Sequence, residues 1–219
     1  MNRIPDQHKR ILEKAGITEL RPAQKKALDS GLLESKNMLV CTPTASGKTL
    51  IAEMAAINGL LTKRGKTVYI VPLIALASEK HKEFKKRYED LAKIALSVGD
   101  RDSSDPYLID YDIIICTAEK LDSLIRHQAT WLSLVSTVVI DEIHLLNDVS
   151  RGPTLEILIT ALKKIVPKAQ ILGLSATIGN PLELASWLDA QLVEDNWRPV
   201  PLKKGTLFVG DLEFQDQNI

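Results

Sequence analysis

Six short apolar runs recur along the chain: Met38–Cys41, Thr67–Val71, Ile94–Val98, Asp112–Cys116, Val138–Ile140 and Ile171–Leu174. They are rich in Val, Ile and Leu and nearly continuous rather than alternating. That is the pattern of strands buried on both faces. Between them fall longer stretches of helical character: Leu50–Leu61, Ala77–Leu91, Glu119–Arg126, Thr154–Ile165 and Pro181–Leu188. Strands alternating with helices predict an α/β fold, a mostly parallel sheet with helices on both faces. Ligands of such sheets lie beyond the carboxyl ends of the strands. The polar residues that directly follow each run are therefore the places to look for chemistry.

After Met38–Cys41 comes Thr42-Pro-Thr-Ala-Ser-Gly-Lys-Thr49, and then the helical stretch from Leu50. Gly47, Lys48 and Thr49 match the end of the phosphate-loop pattern, with Thr42 where its first glycine is expected. Strand, loop and helix are the context that this chemistry needs. Backbone N–H groups of Thr44, Ala45, Ser46 and Gly47 can face phosphate oxygens at the positive end of the helix dipole. Lys48 can reach the β- and γ-phosphates, and the Thr49 hydroxyl can ligate Mg²⁺.

After Val138–Ile140 comes Asp141-Glu-Ile-His144. Two adjacent carboxylates at the end of a dry strand are costly unless a cation meets them. Asp141 is expected to hold Mg²⁺, commonly through water, and Glu142 to orient and deprotonate an attacking water. His144 is placed to relay the state of the phosphates. The two junctions together predict binding, and hydrolysis, of a nucleoside triphosphate with Mg²⁺.

Composition narrows the partners. With 219 residues the chain suits one large α/β domain, and 45% hydrophobic residues suffice for its core. There are 28 basic and 28 acidic residues, so any nucleic-acid site is a local patch rather than a global field. Cys41 and Cys116 both end apolar runs and read as buried free thiols of a reducing compartment. No signal peptide and no apolar run of spanning length is visible, which predicts a cytoplasmic protein without a membrane partner.

These motifs resemble superfamily 2 helicases of the DExH type, in which Ser175-Ala-Thr177 after Ile171–Leu174 is a third shared element. The finer likeness is to the archaeal Holliday-junction migration helicases (Hjm-type). It is carried by Leu20-Arg-Pro-Ala-Gln24, Pro72–Ala77, Thr117–Leu124, Arg151–Glu156, Ser175–Asn180 and Trp197–Leu202. The resemblance implies a RecA-like ATP-binding domain over 1–202. It also implies that 203–219 is a linker or the start of a second RecA-like domain that the full-length chain would carry, and that this chain by itself has weak or no activity. The implied activity is 3′–5′ translocation on single-stranded or forked DNA, driven by ATP and Mg²⁺, by a monomer acting in repair of stalled forks. RNA helicases of neighbouring families share the motifs, so a related RNA helicase stays open. So does a nucleotide-dependent nucleic-acid-binding module without turnover, or a remodelling translocase.

The same resemblance assigns further roles. Gln24 reads the adenine edge. No aromatic residue stands beside it in sequence, so the base is expected against the Arg21 guanidinium. Ser175, Ala176 and Thr177 couple nucleotide state to grip on the strand. The nucleic-acid face is implied at Leu73, Thr117, Lys120, Arg151 and Thr154, gripping phosphates without reading sequence. One departure is Ile74, where the family usually has a basic residue. Lys80, Lys82, Lys85, Lys86 and Arg87 read as a solvated helix face. Trp187 and Trp197 read as core or linker packing.

Overall fold

The structure is a computed structural model that describes residues 4–99, 104–201, 205–208 and 211–214. Seven strands form one wholly parallel sheet: β1 Met38–Cys41, β2 Lys66–Val71, β3 Ile94–Ser97, β4 Ile113–Thr117, β5 Val135–Ile140, β6 Gln170–Ser175 and β7 Gln191–Glu194. Their order is β3-β4-β2-β5-β6-β1-β7. The helices are α1 Asp6–Lys14, α2 Pro22–Asp29, α3 Lys48–Leu61, α4 Ile74–Tyr88, α5 Ala118–Arg126, α6 Gly152–Ile165 and α7 Pro181–Leu188. A two-stranded antiparallel hairpin, β8 Gly205–Phe208 and β9 Asp211–Phe214, follows.

Register explains the two cores. Tyr69 of β2 pairs with Val139 of β5 and Ile115 of β4, and Val139 pairs with Leu172 of β6. These residues pack on one face with Leu12, Ala27, Met54 and Phe84 from α1 to α4. The neighbours one residue earlier, Val68, Val138, Ile114 and Ile171, face the other way. They pack with Leu121, Leu158 and Leu188 from α5, α6 and α7. Both faces are covered, so the central strands are mostly apolar on both sides, and no period of two shows in the sequence.

All six expected strands are present. β5 starts at Val135 because Ser136 and Thr137, though polar, are buried in the ladder. α4 spans Ile74–Tyr88, three residues ahead of the expected Ala77–Leu91, because Leu73 is already extended and serves as its N-cap. β7 was not expected. It is a parallel edge strand on β1, exposed at Gln191 and Glu194 and without an apolar run. The two N-terminal helices were not expected either, being short and mostly polar. The tail, expected to have short strand character, forms the hairpin. The expected boundary at 202–203 lies outside the described residues.

Candidate nucleotide and nucleic-acid sites

Both motif loops leave the same edge of the sheet. β1 and β5 flank β6, and the loops after all three meet above it. The turn from Thr42 to Gly47 is held from several sides. Thr42 N–H donates to the Ser175 carbonyl at 3.2 Å, and the Thr42 and Ser46 hydroxyls bond at 2.7 Å. Ala45 and Gly47 both take left-handed backbone, at φ 66 and 93. Gly47 is required twice over: by its φ, and because a Cβ there would stand 2.5 Å from Gln24 Nε2. Lys48 Nζ donates to the Ser175 carbonyl at 3.0 Å and the Thr42 carbonyl at 3.3 Å. Both partners are neutral, so its charge remains free to meet an anion.

Asp141 stands across from it. Tyr69 Oη donates to Asp141 Oδ2 at 3.0 Å, and the Glu142 N–H donates to Oδ1 at 3.1 Å. Burial and the neighbouring Asp141 charge push the Tyr69 phenol well above its usual range, and the nearby Thr49 hydroxyl opposes this. Burial pushes the Asp141 carboxyl above its usual range. The neighbouring Glu142 charge adds to this, and the Tyr69 hydrogen bond and the Lys80 and Lys48 charges oppose it. A carboxylate whose ionised form is disfavoured by its surroundings gains from a cation. Glu142 is left-handed at φ 53, a conformation that is costly without glycine. Its Oε2 lies 3.3 Å from His144 Nδ1.

The base-binding candidates meet the loop directly. Gln24 is buried; its Oε1 accepts from the Arg21 N–H at 2.8 Å and its Nε2 donates to the Gly47 carbonyl at 3.0 Å. Arg21 Nη1 donates to the Ala45 carbonyl at 2.7 Å. A cleft of about 390 Å³ opens beside them, lined by Ile17, Arg21, Gln24, Gly47, Thr49 and Arg87. The sequence shows no aromatic near Arg21, yet the fold brings one. Trp197 lies with its ring centroid 5.3 Å from the Arg21 guanidinium. Its segment is tied down by the Lys26–Asp195 ion pair at 2.8 Å. Trp197 and Trp187 are each more than a third exposed, with Arg21 and Lys163 against their rings, so neither is a core residue.

A second groove, of about 670 Å³, opens on the same edge beyond β2 and β4. Leu73, Ile74, Thr117, Arg126 and Arg151 line it, and the two leucine and isoleucine side chains are about half exposed. Thr117 caps α5, its hydroxyl accepting the Lys120 N–H at 3.3 Å. Lys120 departs from the expectation: its ammonium is buried and paired with Asp105 at 3.1 Å, so its charge points into the protein. Thr154 is half-buried on α6, one turn past Arg151, and does not line the groove. Of the coupling residues, Ser175 is fully buried with its hydroxyl unpartnered, Ala176 is half-buried and Thr177 is exposed.

Two residues at the site escaped the sequence reading. Tyr69 sits mid-strand, where only register reveals its direction. Lys80 was read as solvated. Its Nζ in fact donates to the Thr49 hydroxyl at 3.2 Å, and Arg87 likewise turns inward to the buried Glu53 at 2.5 Å. The signal was present: Ala77, Lys80, Phe84 and Arg87–Tyr88 share one helical stripe with the apolar face.

The residues fit a triphosphate with a divalent cation: a glycine cradle, an ammonium held only by carbonyls, the Thr49 hydroxyl, and a buried carboxylate, Asp141, whose ionised form is disfavoured. Comparison with known proteins agrees with this chemistry. Residues 21–184 match the profile of the DEAD/DEAH box helicases. The ATP-dependent DNA helicase Hel308 of Pyrococcus horikoshii is 53% identical over 214 residues, 98% of this chain and 30% of that protein. The protein of the same name from Methanocaldococcus jannaschii is 59% identical over 211 residues, 93% of this chain and 17% of that protein. Among solved structures, the DUF1998 helicase MrfA bound to DNA superposes with a TM-score of 0.75 at 27% identity, covering 90% of this chain and 30% of that one. The chain thus spans under a third of these relatives, and it belongs to the DEAD/DEAH box helicase family.

Proposed function

We propose that this chain is the first RecA-like motor domain, over 1–202, of an ATP-dependent 3′–5′ DNA helicase. It binds ATP·Mg²⁺ and couples hydrolysis to movement along single-stranded or forked DNA, with 203–219 leading toward a second motor domain. The observation that carries this reading is the anchorage of the phosphate loop on β6, the strand between β1 and β5: Thr42 N–H and Lys48 Nζ both donate to the Ser175 carbonyl, so the loop lies beside the end of β5 that carries Asp141 and Glu142. The DNA-helicase names of the relatives and the DNA in the MrfA structure support the partner.

In this reading Lys48 and the N–H groups at the start of α3 hold the phosphates. Thr49 and Asp141 hold the metal, which would supply charge neutralisation of the triphosphate. Glu142 accepts the proton of the attacking water, and His144, its Nδ1 3.3 Å from Glu142 Oε2, relays the state of the phosphates. Gln24 and Arg21 bind the base, and the guanidinium already stacked on Trp197 offers its other face to adenine. Ser175, whose carbonyl holds both Thr42 and Lys48, ties the loop after β6 to the phosphate cradle. Leu73, Thr117 and Arg151 line the groove proposed for the strand, with Thr154 and Lys120 supporting it from α6 and α5. Among the described residues no helix is long and apolar enough to cross a membrane. A cytoplasmic monomer is part of the proposal.

The test is ATP turnover with and without single-stranded DNA, for the wild-type chain and for Glu142→Gln. Loss of a positioned base lowers turnover by about 10²-fold or more. Turnover unaffected by Glu142→Gln would refute the assignment.

A further inference from the structure

Lys80 occupies a place that the proposed reaction reserves for a metal. It sits on α4, two turns in, with its side chain only 17% exposed. Its Nζ lies 3.2 Å from Thr49 Oγ1 and 3.2 Å from Glu83 Oε2. Close by, Tyr69 Oη donates to Asp141 Oδ2 at 3.0 Å. The Lys80 charge also reaches the carboxyls of Asp141 and the buried Glu53. No other lysine among the described residues donates to Thr49.

We propose that the Lys80 ammonium is the built-in counter-cation of the metal site. It holds the Thr49 hydroxyl until a divalent cation takes that oxygen, and then withdraws to Glu83. This rests on the nucleotide–metal reading above. A hydroxyl has two lone pairs, and one is already committed to Lys80. An entering cation must displace or repel that ammonium. Lys80 therefore raises the free Mg²⁺ at which nucleotide binding becomes metal-dependent. Glu83, the alternative partner, lowers it by offering the ammonium somewhere to go.

Two substitutions move this threshold in opposite directions. Lys80→Met keeps the aliphatic stem and removes the charge. Glu83→Gln removes the withdrawal partner on a half-exposed side chain, where folding is not at stake. The measurement is the affinity of the chain for a fluorescent non-hydrolysable ATP analogue, titrated against free Mg²⁺. Melting curves accompany each protein. The half-effective Mg²⁺ should fall about fivefold in Lys80→Met and rise in Glu83→Gln, the scale of one charge–charge contact in a partly solvated site. An unchanged or raised value in Lys80→Met overturns the proposal, as does weaker binding at saturating Mg²⁺, which would make Lys80 a phosphate ligand. Should Lys80→Met not fold, Glu83→Gln decides alone: an unchanged or lowered threshold overturns it. If the wild-type chain shows no Mg²⁺-dependent binding at all, the nucleotide–metal reading falls too. If it does and the variants do not shift, only this inference falls.

Discussion

The surroundings of Asp141 disfavour its ionised form, and that preference has a measurable sign. Its folded-state pKa is raised, chiefly by burial, so the folded chain holds the proton more tightly than the unfolded one. Stability from this group therefore falls as pH rises from the unfolded value near about 4 through the raised folded value, and is flat above it. Asp141→Asn removes the penalty while keeping an oxygen for the Glu142 N–H. At pH 7 it should melt at a higher temperature than wild type. The gain should shrink as the pH is lowered toward about 4. A lower melting temperature at pH 7 would show that the Tyr69 and Glu142 hydrogen bonds outweigh desolvation. The same variant should lose Mg²⁺-dependent nucleotide binding, so stability and function trade against each other at one atom pair. The residues flanking this carboxylate were unequally legible. Asp141 and Glu142 announce themselves by following a dry strand. Tyr69 and Trp197 do not, because their placement depends on strand register and on a segment 176 residues from Arg21.

Two elements carry more than their length suggests. α4 begins in the wall of the groove proposed for nucleic acid at Ile74, touches Thr49 through Lys80, and ends with Arg87 and Tyr88 on the buried Glu53. One helix thus spans both clefts. Its ends were misplaced in sequence because the charge-rich pattern hid an apolar stripe with two cations on it. α5 is the other case. Thr117 caps it, and its hydroxyl can still donate its own hydrogen outward into the groove. Thr117→Ala should cost about 1 kcal/mol of stability from the lost cap. It should also weaken single-stranded DNA binding about equally across sequences. Thr117→Ser should restore both. A sequence-selective loss, measured by fluorescence anisotropy on several oligonucleotides, would contradict a backbone contact. Elsewhere, Gly152 opens α6 under the turn Ile143–Asn147, and a Cβ there would lie 2.2 Å from the Leu146 carbonyl. Gly152→Ala should accordingly destabilise the chain by about 1–3 kcal/mol. A denaturant midpoint equal to wild type would show that the turn can yield.

For the whole molecule, zero formal net charge means that the proposed attraction to DNA has to come from a local patch, which the proposal puts at one edge of the sheet. With Lys120 turned inward, Arg126 and Arg151 are the cations lining the groove. The logarithm of the single-strand binding constant should then fall with the logarithm of salt concentration at a slope between about −1 and −2. A much steeper slope would place the strand on another surface. The parallel α/β fold was legible because both-face burial leaves dense apolar runs, and those runs end where the chemistry lies. The edge strand β7 and the N-terminal helices were not, because half-exposed elements carry no such runs. The central claim is that a triphosphate settles between Lys48 and the acid pair. The most direct measurement is the affinity of a fluorescent ATP analogue, with Mg²⁺, for the wild-type chain and Lys48→Ala. Binding should be lost in Lys48→Ala while its melting curve stays cooperative; unchanged affinity in a folded variant would contradict the account.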